Sequence, residues 1–215
     1  MSLTLHFHPL ASFCHKALIA LYENDIQFEP VIVDLGEPTS RAAFLKLWPI
    51  GKMPVLHDHA RDRVVPESSI IIEYLDQHHP SPVKLVPVDL DEARRTRLSD
   101  RFFDLYVQEP MQKIVTDRIR PAGMNDPHGV AAARTQLETA LGMVDNDMQS
   151  KPWAMGENFT MADCAAAPAL FYADKVAPLA SGHPNAAAYL DRLMARPSVA
   201  RVYKEAEPYF KMFPS

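Results

Sequence analysis

Cysteine is nearly missing from this sequence. Cys14 and Cys164 are the two present in 215 residues. A pair so far apart is no disulfide framework and reads as reduced thiols. Glycine is scarce as well: the seven glycines are not clustered, so no Gly-rich phosphate loop is present. No apolar run approaches the roughly 20 residues that a membrane-spanning helix needs. The opening "MSLTLHFHPL" lacks the charged-then-apolar signature of a secretion signal, so a cytoplasmic protein with no membrane partner is expected. Basic excess is lacking too. Lys and Arg number 22 against 27 Asp and Glu, the net charge is −5, and no basic run stands out. Nucleic acid is therefore not an expected partner.

What is present suffices for a buried core. Hydrophobic residues make up 47% and charged residues 23%, an ordinary globular balance. The length fits one large domain or two small ones at about 100–200 residues each.

"LTLHF" alternates apolar and polar residues, as a short strand does. A turn follows, and from Phe13 to Tyr22 the pattern becomes helical. Ile26 to Leu35 is strand-like and rich in β-branched residues. The chain thus opens as a βαβ unit. Ser40 is a candidate N-cap of a short helix to Trp48. "MPVLHD" and "RDRVV" read as a hairpin turning at His59 to Asp62, and Glu67 to His79 as a helix.

Pro80, Pro82 and Pro87 then interrupt regular structure and mark a linker. Beyond it strand signals vanish. Asp91 to Arg120 reads as one long helix, with Leu98, Phe102, Leu105 and Tyr106 on one face and a kink at Pro110. Val130 to Met148 is strongly periodic. Thr160 and Asp163 have the spacing of a capping box, with Phe159 and Cys164 at the staple positions. Two shorter helices follow, near Pro184 to Ala195 and Ser198 to Ala206.

Ser12 stands where the first strand hands over to its helix. It can be a plain cap or a working hydroxyl. Cys14 can be a reactive thiol or a small buried hydrophobe. Ala11-Ser12-Phe13-Cys14 keeps only the second cysteine of a C-x-x-C pattern, so dithiol exchange is unsupported. His57-Asp58-His59 and His78-His79 offer two ligands each and no third, so no metal is expected.

The order of these parts resembles the cytosolic glutathione S-transferases, of the serine-type, zeta/theta-like branch. "ASFCHKALIAL" is similar to that family's catalytic turn, "GKMPVL" to its cis-proline segment, "ESSIIIEYL" to its acidic-then-serine helix start, and "NFTMADCAAAP" to its capping box. The resemblance implies a thioredoxin-like α/β N-terminal domain (βαβ-ββα, residues 1–80), a linker at 81–89, and an all-α C-terminal domain (90–215). It implies glutathione as co-substrate, a small hydrophobic electrophile as the second substrate, and a homodimer. Ser12 would hold the glutathione thiolate. Because related sequences often carry that hydroxyl one position earlier, at Ala11 here, Cys14 or a backbone N–H are the alternatives. Lys52, Met53, Pro54, Glu67 and Ser68 would bind glutathione. Leu10, Phe103, Tyr106 and Met111 would line the electrophile pocket. A glutathione-dependent isomerase of the maleylacetoacetate type and a non-catalytic glutathione-binding protein are the other activities this resemblance allows.

Overall fold

The structure, a computed structural model, describes every residue except Met1, Pro80, Pro82 and Ser215. Two of the three linker prolines therefore lie outside the described residues.

The N-terminal part runs β1 (Leu3–Phe7), α1 (Ser12–Glu23), β2 (Glu29–Ile32), α2 (Pro38–Leu47), β3 (Val55–Asp58), β4 (Arg63–Pro66) and α3 (Ser68–His78). The sheet order is β2-β1-β3-β4. β1 pairs parallel with β2 and antiparallel with β3, and β3 pairs antiparallel with β4. Alternation in β1 sends Leu3, Leu5 and Phe7 to one face, where they are buried in a core shared with Leu18 and Leu21 of α1 and Ile71, Ile72 and Leu75 of α3. The opposite face carries a smaller cluster of Val33, Phe44 and Val55. β2 is shorter than its β-branched run. It is an edge strand, and Pro30 within it has no N–H for the ladder.

Ser40 does not cap α2. The helix starts at Pro38, and the Glu37 carboxylate accepts from the N–H groups of Thr39 (2.9 Å) and Ser40 (2.5 Å). The Ser40 hydroxyl instead accepts from the N–H of Asp34 at 3.0 Å.

The C-terminal part is helical: α4 (Leu90–Phe102), a π-helical segment (Phe103–Gln108), α5 (Glu109–Asp117), α6 (Pro127–Asp147), α7 (Met161–Asp174), α8 (Pro184–Ala195) and α9 (Pro197–Ala206). α7 is the central post. Its alanines let α1 and the π-helical segment approach closely, and it is buried along almost its whole length. The expected capping box starts it: Asp163 accepts from the Thr160 N–H at 2.8 Å, while Phe159 and Cys164 are buried beside it. Asp163 also accepts from Ala154 N–H and Tyr189 Oη, so one buried carboxylate ties three segments. The linker is fastened to the same point, since the Leu85 carbonyl accepts from Met161 N–H at 2.8 Å.

The long helix expected from Asp91 to Arg120 departs from expectation twice. Pro110 lies inside one continuous helical run, directly after the π-helical segment, whose wider turn adjoins the missing N–H. The packed face is also different. Leu98 is 68% exposed and Tyr106 47% exposed, whereas Thr96, Asp100, Asp104 and Gln108 are buried. Two members of that polar stripe, Asp100 and Asp104, answer a buried lysine, described below. None of the helices among the described residues is long and apolar enough to cross a membrane.

Candidate active site

A cleft of about 480 Å³ opens between the sheet-bearing part and the helices. Leu10, Ala11, Ser12 and Phe13 form its floor. Lys52, Met53, Pro54, Glu67 and Ser68 line one side, and Arg101, Asp104, Gln108, Met111 and Tyr172 the other.

Ser12 is the first helical residue of α1, with Ala11 in the N-cap position and no side-chain cap. Its hydroxyl has no partner among the described residues, and neither do the N–H groups of Ser12 and Phe13. The cleft floor therefore offers a hydroxyl together with the positive end of a helix. The turn is held from behind. Tyr172 Oη donates to the Leu10 carbonyl at 2.7 Å, and His15 Nε2 donates to the Pro9 carbonyl at 2.5 Å.

Met53–Pro54 is a cis peptide. Glu67 precedes α3 at φ +68°, a conformation that L residues rarely adopt. It sets Glu67 and Ser68 side by side on the cleft wall, and neither side chain has a partner among the described residues.

The other candidates divide. Leu10 and Met111 line the cleft. Phe103 does not: it is 3% exposed and packs in the core. Tyr106 does not either, because the π-helical turn sends it outward. Cys14 is fully buried beneath the floor, and burial pushes its thiol up to about 12, so it offers no thiolate near neutral pH. The His57 and His59 rings lie 4.0 Å apart in a tilted arrangement, with His59 Nε2 bonded to Thr4 Oγ1. Among the described residues no three His, Cys, Asp or Glu side chains are placed to share a metal ion.

Residues 5–83 match the family described as glutathione S-transferase, N-terminal domain, and residues 127–192 match glutathione S-transferase, C-terminal domain. The chain belongs to the glutathione S-transferase family. A crystal structure of a glutathione S-transferase from Methylobacillus flagellatus with glutathione bound is similar at TM-score 0.85 and 26% identity, covering 94% of this chain and 98% of that one. Among curated proteins, FtsZ-localized protein A of Caulobacter vibrioides is 30% identical over 174 residues, 76% of this chain and 74% of its own. A stringent starvation protein A homolog of Haemophilus influenzae is 28% identical over 200 residues, 91% of this chain and 87% of its own.

In this glutathione S-transferase family member, three features of the cleft escape a sequence reading. The first is Lys16, fully buried under the floor. Its Nζ lies 2.6 Å from Asp100 Oδ1 and 2.7 Å from Asp104 Oδ2, and donates to Ser69 Oγ at 2.8 Å. Ser69 Oγ donates onward to Asp100 Oδ2 at 2.7 Å. The signal in the sequence is a lone lysine directly before the apolar run "ALIAL", answered by Asp100 and Asp104 four residues apart. The second is Tyr172, which reaches the floor from α7. The third is His15, whose ring stacks on Tyr172 and meets Tyr203 edge-on.

Burial pushes His15 down to about 4 from 6.5, opposed by its bond to Pro9. The neutral ring is therefore the folded form. Stability is fully present above about pH 6.5 and declines as pH falls toward 4, because the unfolded chain takes up the proton first. The full difference is about 3 kcal/mol. Urea unfolding of wild type and His15→Gln across this range should give curves that diverge by that amount, with the wild type the steeper.

Proposed function

We propose that the cleft binds glutathione and that Ser12 holds its sulfur as a thiolate for addition to a small electrophile seated against the helices. The observation that carries this reading is the convergence of unpartnered groups on one cleft: the Ser12 hydroxyl at a helix start, the carboxylate of Glu67, and the hydroxyl of Ser68 at the start of α3. Glutathione presents the matching set. Its γ-glutamyl ammonium suits Glu67, its γ-glutamyl carboxylate suits Ser68 and the N–H groups beside it, its cysteinyl backbone suits Met53, and its glycyl carboxylate suits Lys52.

A free thiol has a pKa near 8.5, so a reactive site must favour the anion. A charge-assisted hydrogen bond contributes about 1.5–3 kcal/mol and a helix terminus about 0.3–1 kcal/mol, enough together to lower that value by about two units. Ser12 at this turn supports a place in the serine-type, zeta/theta-like branch. Exposed Ile70 and Leu98, flanking the Arg97–Glu73 ion pair that joins α3 to α4, support a homodimer.

Calorimetry with glutathione tests the reading. The wild type should bind, and Ser68→Ala should bind about tenfold more weakly through loss of one bond to a charged group. Failure of the wild type to bind overturns it. The second reading is a glutathione-binding protein that does not conjugate. Ala11 at the position where relatives often carry the hydroxyl favours it, as do relatives named for starvation and for localisation with FtsZ. Binding without turnover of chlorodinitrobenzene would select it.

A further inference from the structure

The chain passes from β1 into α1 through the carbonyls of His8, Pro9, Leu10 and Ala11, and each of them is held. The His8 carbonyl accepts from Ala11 N–H at 3.0 Å, and the Ala11 carbonyl accepts from the N–H groups of Cys14 and His15. The two between accept from side chains, Pro9 from His15 Nε2 and Leu10 from Tyr172 Oη at 2.7 Å. His15 belongs to α1 and travels with Ser12. Tyr172 belongs to α7, the buried post, and its bond is the one hydrogen bond from the helical part to this turn among the described residues. The Tyr172 ring is buried and stacks with His15 at 5.8 Å and with Phe213 at 5.4 Å, so the direction of its hydroxyl is fixed. Burial pushes that hydroxyl up from its usual value and keeps it protonated, hence a donor, through the neutral range. Tyr203 gives the contrast. Its ring lies 5.1 Å from His15 in the same cluster, yet its buried Oη has no partner among the described residues.

The Leu10 carbonyl and the Ala11 N–H belong to one rigid peptide plane. Tyr172 grips the oxygen edge of that plane and the His8 carbonyl grips the N–H edge, one residue before Ser12. Resting on the glutathione reading above, we propose that Tyr172 is a positioning residue for the thiolate: its hydroxyl locks the Leu10–Ala11 peptide and thereby aims the Ser12 hydroxyl and the start of α1 at the sulfur. Tyr172 acts through the backbone, since its Oη is engaged by Leu10 while only the side of its ring lines the cleft. The physical need is angular. A hydrogen bond weakens steeply as its donor swings off line, and a plane held at one edge alone lets the Ser12 donor swing.

The test titrates the thiolate absorbance of bound glutathione with no electrophile present, so that contact between the Tyr172 ring and a second substrate plays no part. Tyr172→Phe deletes the bond and keeps the stacked ring. Its bound thiol should titrate about half a unit to one unit above that of the wild type, and its glutathione affinity at neutral pH should fall by about threefold at most. Tyr203→Phe deletes a hydroxyl of the same cluster that makes no bond, and its titration should overlay the wild type. Melting of both variants is followed alongside. A bond that only supports the fold lowers the Tm of Tyr172→Phe and leaves the titration where it was, and that result overturns the proposal. An equal rise in Tyr203→Phe overturns it as well, because general loosening of the cluster then accounts for the effect. A wild type that does not bind glutathione overturns the proposal together with the reading beneath it, a result plainly distinct from binding with an unmoved titration.

Discussion

Ser12→Ala is expected to lower kcat/KM for conjugation by about tenfold to a hundredfold while lowering glutathione affinity at neutral pH by only about three- to fivefold. The hydroxyl is the single side-chain donor lost. The N–H groups of Ser12 and Phe13 and the positive end of α1 remain, so the thiolate loses part of its support and keeps the rest. The thiol pKa of bound glutathione should rise by about one to two units. The sign fixes the pH profile. At neutral pH the variant is slow because most of its bound thiol is protonated, and it approaches the wild type as pH rises past the new value. Thiolate absorbance of the complex, titrated alongside the rate, checks this directly. Ser12→Thr keeps a hydroxyl and should recover much of the rate. Cys14→Ala should leave the rate unchanged, since that thiol lies under the floor and out of the cleft. A rate lost in Cys14→Ala and kept in Ser12→Ala would move the role to the cysteine.

The parts of this fold legible in the sequence are those governed by local rules. Alternation in Leu3–Phe7, the hairpin around His59 to Asp62 and the Thr160–Asp163 box each depend on neighbours along the chain, and each forms as read. Ser12, Glu67 and Ser68 are legible for the same reason: their positions follow from where a strand or loop becomes a helix. The long helix after the linker misleads, because its apolar count points outward. Leu98 and Tyr106 are exposed, while Asp100 and Asp104 face in, and the position of Lys16 on a distant helix explains that choice. A charge inside an apolar run ordinarily signals a solvated edge. Its burial depends on partners more than eighty residues away, which no window along α1 contains. Phe103 and Tyr106 fail as pocket residues on the same ground, since the π-helical turn that rotates them has no local signature.

Lys16→Met is expected to destabilise the protein by about 3–5 kcal/mol, lowering Tm by roughly 10 °C. Methionine matches the lysine stem in length and removes the ammonium, so the loss is chiefly electrostatic. Asp100 and Asp104 are then left buried without their cation. Burial already holds Asp104 above the usual carboxylate range with Lys16 beside it, and removal of the ammonium pushes it further in that direction. A carboxyl group raised in this way binds its proton more readily folded than unfolded. The deficit of the variant should therefore shrink as pH falls from 8 toward 5 (roughly one carboxyl protonated) and widen as pH rises. Adding Asp100→Asn and Asp104→Asn should restore most of the stability, because a buried site without charges has none left uncompensated. That triple variant also separates fold from function. The cluster joins α1, α3 and α4, the three elements that carry Ser12, Ser68 and the helical wall of the cleft. If it only balances charge, the restored protein binds glutathione as the wild type does. If it also fixes the spacing of those walls, stability returns and affinity does not.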